Sequence, residues 1–293
     1  KDILSNYVAQ IINIFLRFFL VPLYLLKLGV SAYGFIGFYF SIESIMVFLD
    51  FGMGVTSAKI LAEQYNEKPK STLRIIRSVE FIYVLISFII GVIIFLLSGV
   101  ISRNWLVVDD LSINVEKIII LMAILLTVSW PKSLYENFLI GRKMIIQKNV
   151  INISLNIIRT LVMIYTVVHL SGGIESYFYV MIATLFFETV ILRITFFQKM
   201  GRTFNFASFL ELKPLLKYTS GVGFFSILSL IVFQSDKIFI SKFMPISALG
   251  IYNTSSVIPL AMFSLIYPIT SAIFPRLVRM NSDSKAKHIF QEW

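Results

Sequence analysis

Cysteine is absent from this 293-residue chain, and histidine occurs only at His169 and His288. Without thiols the chain can form neither a disulfide nor a thiolate metal site. The two histidines are too few and too far apart in sequence for ordinary imidazole metal chemistry. The composition therefore predicts a protein without a metal centre and without a cofactor.

Charged side chains are also scarce: they make up 14% of the residues, whereas 57% are hydrophobic. Soluble domains are roughly 45–50% apolar, and a helix that crosses a bilayer needs about 20 apolar residues. We predict an all-α multi-pass membrane protein with eight transmembrane helices near 3–26, 33–58, 76–98, 115–140, 149–170, 175–197, 216–241 and 247–275. These spans use most of the chain, which excludes a large soluble domain.

The basic residues give a formal net charge of +10, but they are unevenly distributed. Counted from a cytoplasmic start, the inner segments hold 17 lysines and arginines, and the outer segments hold only Lys27, Arg103, Lys117 and Lys242. This positive-inside bias predicts that both termini of this segment lie in the cytoplasm. The positive charge thus reflects topology and attraction to anionic membrane lipids, and we expect no nucleic acid partner.

A short internal repeat divides the chain: Ser31–Phe35 resembles Ser247–Ile251 after a shift of 216 residues, or six predicted spans. Repetition after six helices with unchanged orientation indicates parallel repeats about an axis along the membrane normal. We predict an N-terminal six-helix lobe at 1–198, a cytoplasmic interfacial linker at 199–215, and the first two helices of a C-terminal lobe at 216–293. Aromatic, leucine and polar residues alternate around the linker, which is typical of an amphipathic surface segment; an ordinary connecting loop is the alternative.

Polar side chains form a stripe along the first span, where steps of four, three and four residues place on one helix face Asn6, Gln10, Asn13 and Arg17. An arginine at the centre of a bilayer costs roughly 2.5–3.5 kcal/mol on insertion scales. This face must therefore meet protein or a water-filled cavity. The fifth span repeats the pattern with Asn149, Asn152, Asn156 and Arg159. A membrane protein with such a polar interior is expected to transport a solute.

We interpret Arg17 and Arg159 as binding residues for an anionic headgroup, because guanidinium stays protonated and can bind phosphate oxygens through two parallel hydrogen bonds. Further hydrogen bonds to the same ligand would come from Asn13, Asn152 and Asn156. Two alternatives stay open. In the first, Arg17 pairs with an acid of the second span and only holds two helices together. In the second, the asparagine amides form hydrogen bonds between helices, at roughly 0.6 kcal/mol each, and do not contact a ligand.

Acidic residues of the second span are candidates for ion coupling or gating: Glu43 and Asp50 lie seven residues apart, on one helix face. Lys132 and Glu136 have the spacing of a local helix pair, with lysine first, which is the less favourable order. Two further charges within the spans are Glu188, a candidate coupling acid, and Arg193, which we expect to extend to the inner interface.

The chain resembles the polysaccharide-biosynthesis flippases, the O-antigen and capsule exporters of the multidrug/oligosaccharidyl-lipid/polysaccharide (MOP) superfamily. The resemblance covers essentially the whole chain and depends on an ordered set of short features: Pro22, Leu28-Gly29, Tyr33-Gly34, Leu49–Gly54, Gln234–Lys237, Leu249–Tyr252, Pro259 and Pro275. It implies two six-helix lobes around a central cavity. Because the family often carries an aspartate at the position of Asp236, the resemblance also makes this residue a candidate for coupling or gating.

The resemblance implies a flippase, not an enzyme, that moves a polyprenyl-pyrophosphate-linked oligosaccharide across the bacterial cytoplasmic (inner) membrane by alternating access. Such a protein serves the synthesis of O-antigen, capsule or exopolysaccharide and works beside other glycan-assembly membrane proteins. The alternatives are a cation-coupled multidrug exporter and, less favoured, a membrane enzyme of glycan assembly, for which the one long outer loop offers only Arg103, Asp109 and Asp110. Since the chain begins at Lys1 and ends in a charged stretch, we expect it to be part of a longer protein.

Overall fold

The computed structural model describes residues 2–110, 112–170, 172–201, 205–259 and 262. Within these ranges the side chains at 2–4, 17, 48–49, 169, 209–210, 214–218 and 220–225 are not described. Two predictions are affected by these limits. The side chain of Arg17 lies outside the described part, as does the second half of the predicted span 247–275.

The described chain consists of helices joined by short connections: α1 Asp2–Leu28, α2 Val30–Leu49, α3 Met53–Gln64, α4 Pro69–Val100, α5 Val115–Gly141, α6 Ile145–Ile164, α7 Ile174–Met200 and α8 Phe209–Phe243. Residues 246–259 are helical as well. Five-residue π-helical turns extend α4 and α6 at their C-terminal ends, over Ile101–Trp105 and Tyr165–His169. The predicted all-α architecture is confirmed.

Six helical stretches of the described chain are long and apolar enough to cross a membrane: Ser5–Leu28, Val30–Val47, Pro69–Trp105, Val115–Gly141, Ile145–Val168 and Ile174–Met200. They correspond to the first six predicted spans. Helices suit this environment because all backbone hydrogen bonds are made within the segment. The chain therefore has the composition and the secondary structure of a multi-pass membrane protein, while the count of eight spans stays a prediction.

The second predicted span, 33–58, is not one helix, and this prediction was wrong. Phe51 and Gly52 adopt left-handed backbone conformations, with φ of 49° and 76°, and they separate α2 from α3. A left-handed residue cannot continue a right-handed helix, and for a phenylalanine it costs roughly 1–2 kcal/mol. The carboxylate of Asp50 offsets part of this cost, since it accepts a hydrogen bond at 3.3 Å from the free backbone N–H of Gly54 in the first turn of α3.

The helix that contains the seventh predicted span, 216–241, begins earlier, at a capping box. The hydroxyl of Ser208 accepts a hydrogen bond from the backbone N–H of Glu211 at 3.4 Å, and the Glu211 carboxylate accepts one from the backbone N–H of Ser208 at 2.8 Å. Both donors would otherwise lack a partner at the start of a helix. The helix therefore includes residues that we assigned from sequence to the linker.

The described linker residues 205–211, here called the docked linker, contact one face of α4. Glu211 accepts hydrogen bonds from Ser71 at 2.9 Å and from Arg74 at 2.6 Å. Farther along α4, the hydroxyl of Ser78 accepts a hydrogen bond at 2.9 Å from the backbone N–H of Ala207, and the rings of Phe81 and Phe206 lie 5.5 Å apart. The four α4 residues follow one another at steps of three, four and three, so they share a helix face.

Helix α5 forms the centre of the first six spans, because α4 and α7 pack along most of its length. Trp130 of α5 lies 5.2 Å from the ring of Tyr83 on α4, and Phe138 lies 5.0 Å from the ring of Phe196 on α7. By contrast, α1 is largely exposed along its length. The polar stripe of α1 consequently meets few neighbours apart from α2 and α6.

The two copies of the short repeat pack against each other at the end of the bundle that holds the predicted outer loops. A Cβ atom placed on Gly250 would lie 2.5 Å from the carbonyl oxygen of Val30, and one placed on Gly34 would lie 2.8 Å from the carbonyl carbon of Ile246. Both residue pairs are related by the 216-residue shift, so the contact is reciprocal, as in a two-fold symmetric interface. The loop after α4 joins both copies: Asp109 accepts a hydrogen bond from Ser31 at 2.8 Å, and Val107 accepts one from Ile246 at 2.8 Å.

Candidate functional site

Three helices of the bundle each place a charged side chain near the middle of the membrane-spanning region. Arg159 and Glu188 each lie fourteen residues from the start of their helices, α6 and α7. At 1.5 Å per residue this is about 21 Å along each helix, or roughly half to two thirds of a membrane-spanning length. Lys132 of α5 approaches them from the third side. We call Lys132, Glu136, Arg159 and Glu188 the mid-membrane cluster.

The carboxylate of Glu188 lies between the two cations of this cluster. Its Oε1 atom is 2.7 Å from Nζ of Lys132, and its Oε2 atom contacts Nη2 of Arg159. The Glu188 side chain is 1% exposed, whereas those of Arg159 and Lys132 are 15% and 23% exposed. A buried carboxylate requires such partners, because an unpaired charge in a low-dielectric medium is strongly destabilising.

Glu136 completes the cluster one turn along α5. Its carboxylate lies 3.5 Å from Nζ of Lys132 and accepts a hydrogen bond at 2.7 Å from the side-chain amide of Asn152. The local pair predicted between Lys132 and Glu136 is therefore present, but Lys132 is closer to Glu188. Two cations and two carboxylates share this site, and their formal charges balance.

The predicted stripes of the first and fifth spans face each other across α1 and α6. The amide of Asn156 donates to Oδ1 of Asn13 at 2.6 Å, and the amide of Asn149 donates to Oδ1 of Asn6 at 2.7 Å. These bonds link the helices in the way that the alternative interpretation describes. Contact of Asn13, Asn152 and Asn156 with a substrate stays a prediction. The backbone of Arg17 lies one turn beyond Asn13 on α1.

Arg159 is held in place by a second partner besides Glu188. Its Nε atom donates to the hydroxyl of Thr184 at 2.9 Å, and that hydroxyl donates in turn to the backbone carbonyl of Val180 at 2.7 Å. The guanidinium plane is thereby fixed by α7. Its role in substrate binding stays a prediction.

The acids that we proposed for coupling or gating do not meet in one place. Each accepts a hydrogen bond from a tyrosine: Glu43 from Tyr39 at 3.0 Å, Asp50 from Tyr83, and Asp236 from Tyr252. The hydroxyl of Tyr39 also lies 3.4 Å from that of Ser129 on α5, so Glu43 is near the central helix. Asp50 instead lies in the break between α2 and α3, and Asp236 lies on α8.

A second buried acid, Glu80 of α4, was not among the residues predicted from the sequence. Its side chain is 3% exposed; it accepts hydrogen bonds from Arg193 at 2.6 Å and from Tyr135 at 2.7 Å, and it also contacts Arg77. Arg193, which we expected to extend to the inner interface, is paired within the bundle. The spacing of Arg77 and Glu80 by three residues was the available signal. The partners from α5 and α7 required the fold.

Two further features lie outside the mid-membrane cluster. A cleft of about 520 Å³ lies between the ends of α4 and α5 at the predicted outer side, with Arg103, Asn104 and Glu116 among its lining residues. In the part of the chain that the structure describes, histidine, aspartate and glutamate side chains form no group that could hold a metal ion. The cleft residue Glu116 precedes Lys132 by 16 residues on α5, or about 24 Å of helix, so we do not assign the cleft to the mid-membrane cluster.

One titratable group outside the predicted spans has a strongly shifted pKa. Glu211 precedes the span 216–241, and the backbone N–H of Ser208, together with Arg74 and Ser71, lowers its pKa from 4.5 to about 2. These donors favour the ionised carboxylate. The docked linker is thus held by a charged group at any physiological pH.

Comparisons with known proteins agree with this architecture. The fold is shared with a MOP superfamily transporter from Pyrococcus furiosus, for which a reversed polarity of the binding pocket suggests a different function. The two chains are 14% identical, with a TM-score of 0.54, and the match covers 99% of this chain and 73% of the other. No curated protein matches the chain. The fold thus defines the class, a multi-pass helical membrane protein of the MOP type.

The family follows from the sequence match. The family described as polysaccharide biosynthesis protein matches residues 1–281. The chain belongs to this family, which confirms the resemblance stated from the sequence. The sequence match thus shows the family, and the likeness to the MOP superfamily transporter shows the fold.

Proposed function

We propose that the protein is a flippase that moves a polyprenyl-pyrophosphate-linked oligosaccharide from the inner to the outer leaflet of the bacterial cytoplasmic membrane. The observation that carries this proposal is the position of Arg159. Its guanidinium group lies at mid-membrane depth, 15% exposed, beside the amide-bearing faces of α1 and α6. In a polysaccharide biosynthesis protein, a cation at this depth suits the diphosphate of a lipid-linked sugar.

Physical chemistry supports each part of this substrate. Phosphate oxygens accept strong charge-assisted hydrogen bonds from guanidinium. The amides of Asn13, Asn152 and Asn156 supply donors and acceptors for sugar hydroxyls. The lipid chain stays in the bilayer while the head crosses inside the protein. In this proposal Arg17 is the second guanidinium, one turn from Asn13 on α1.

Alternating access requires the two ends of the bundle to open in turn. The reciprocal contact of Gly34 with Ile246 and of Gly250 with Val30 closes the predicted outer end, which corresponds to a carrier that awaits substrate from the inside. We assign coupling or gating to Glu43, Asp50 and Asp236, because each is hydrogen-bonded to a tyrosine that can follow its change of charge or position.

The proposal is tested by deleting the gene, identifying the lipid-linked saccharide that accumulates on the inner leaflet, and restoring export with variants. Arg159→Ala should abolish export, and Arg159→Lys should restore only part of it, because the planar fork is lost. Arg103→Ala, which removes an arginine from the outer cleft, is the matched control and should export normally. All variants are compared at equal abundance in the membrane.

Two outcomes would contradict the proposal. Near-normal export by Arg159→Ala would remove Arg159 from the binding site. Accumulation of no lipid-linked saccharide, combined with increased sensitivity to cationic drugs, would instead favour the multidrug exporter, for which the carboxylates of the mid-membrane cluster would be the binding groups.

A further inference from the structure

We infer that Lys132 and Arg159 form a two-cation clamp for a phosphate or diphosphate group and that Glu188 is its resident anion, which the substrate must displace. This inference rests on the proposed function and goes beyond it in two respects. It makes Lys132 a binding residue, although its spacing from Glu136 predicted only a local pair. It also makes Glu188 a competitor of the substrate.

The geometry of Glu188 imitates a bound phosphate. One carboxylate oxygen lies 2.7 Å from Nζ of Lys132, and the other contacts Nη2 of Arg159. A phosphate group presents negatively charged oxygens with similar hydrogen-bonding geometry, and it is recognised by the same donors. The two cations come from different helices, Lys132 from α5 and Arg159 from α6, and the single carboxylate of Glu188 bridges them.

The charge balance makes displacement necessary. The mid-membrane cluster contains two cations and two carboxylates, so it is neutral as it stands. An added diphosphate beside Glu188 would place like charges close together in a medium of low dielectric constant, which is strongly unfavourable. The substrate can bind well only if the Glu188 carboxylate leaves the clamp or loses its charge.

The surrounding residues allow this exchange. The bond from Nε of Arg159 to Thr184 holds the guanidinium in place independently of Glu188. Lys132 stays within 3.5 Å of Glu136, and both of these side chains are about one quarter exposed, at 23% and 25%. An anion can therefore approach the clamp from the side of Lys132, while the clamp itself keeps its shape.

The test measures the Kd of inorganic pyrophosphate for the full chain in lipid nanodiscs at constant ionic strength. Glu188→Gln removes the competing negative charge from the clamp and should lower the Kd by about tenfold or more, as expected for the loss of a competing charged hydrogen bond. Arg159→Ala and Lys132→Ala should each raise the Kd by a similar factor. Glu80→Gln is the matched control: it removes an equally buried, arginine-paired carboxylate outside the clamp, and the Kd should not change.

A second variant guards against a failure to fold. Glu188→Asp keeps the charge but shortens the side chain, so it cannot bridge both cations, and its Kd should lie between those of the parent and Glu188→Gln. Thermal unfolding shows whether each variant is folded. An unchanged or raised Kd in folded Glu188→Gln would overturn the inference, and so would an equal decrease in Glu80→Gln, because this would indicate a general effect of net charge.

The outcomes also separate this inference from the proposed function. If pyrophosphate binding depends on Arg159 but not on Glu188, the inference alone fails. If neither the parent nor Glu188→Gln binds pyrophosphate, both fail. A polyprenyl diphosphate in the nanodisc should compete with pyrophosphate for Glu188→Gln; the absence of competition would contradict the lipid-linked substrate and leave a site for soluble anions.

Discussion

The close contact between the two repeat copies gives the sharpest prediction for the movement of the protein. In Gly250→Ala the new Cβ atom would lie 2.5 Å from the carbonyl oxygen of Val30 and 3.0 Å from the backbone nitrogen of Gly34, whereas ordinary contacts of a Cβ begin at 3.4 Å. The backbones must therefore separate by about 0.9 Å. Overpacking of this kind costs about 1–3 kcal/mol. The cost arises only while the two copies touch.

We therefore expect Gly250→Ala to shift the population toward a state with a separated outer end by about 5- to 150-fold. Because the chain has no cysteine, a single Ile246→Cys can report this state. Ile246 is 1% exposed in the closed contact. Its labelling rate with a soluble maleimide should rise by the same factor in the double variant.

Gly173→Ala is the matched control for this experiment. Its Cβ atom would meet nothing within 4 Å, so the labelling rate should equal that of the parent. The reasoning would be refuted if Gly250→Ala also labelled at the parent rate, since the two helices would then not touch in the resting protein.

Two further predictions concern the outer loop and the docked linker. Asp109 and Ser247 are hydrogen-bonded to each other, so the double variant Asp109→Cys/Ser247→Cys should form a disulfide that stops export until it is reduced. The control pair Lys117→Cys/Glu175→Cys joins α5 to α7 within the predicted first lobe and should not stop export. Undiminished export by the oxidised Asp109→Cys/Ser247→Cys variant would contradict an opening outer end. Glu211 has a lowered pKa, so its contribution to linker docking should be complete above pH 4.5 and be lost as the pH falls toward 2. Hydrogen exchange of the docked linker should increase over this pH range and, at neutral pH, in Glu211→Gln; equal protection in that variant at pH 7 would show that the carboxylate does not hold the linker.

Much of the helical architecture could be predicted because membrane-spanning segments are determined by local composition. A segment of about 20 apolar residues has one stable conformation in a bilayer, since its backbone groups must be paired within it. The steps of three and four residues also predicted which side chains share a face. The hydrogen bond between Asn13 and Asn156 shows that two faces identified independently in the sequence do meet.

The errors arose where a local signal was outweighed or overlooked. The left-handed residues Phe51 and Gly52 break an apolar run that gave no sign of a break other than its glycine. The early start of α8 was readable, because Ser208 and Glu211 have the spacing of a capping box. In both cases hydrogen bonds at a helix terminus, rather than hydrophobicity, decided where the helix begins.

The sequence by itself determined that this chain is a helical membrane protein with charges inside the bilayer, because the hydrophobic lengths and the helical period depend only on neighbouring residues. Only the tertiary structure decided the partners of those charges. Glu188 is 29 residues from Arg159 and 56 from Lys132, yet it contacts both. Which carboxylate neutralises which cation depends on how α5, α6 and α7 pack, and a charge in a low-dielectric interior is stable only beside the partner that this packing supplies.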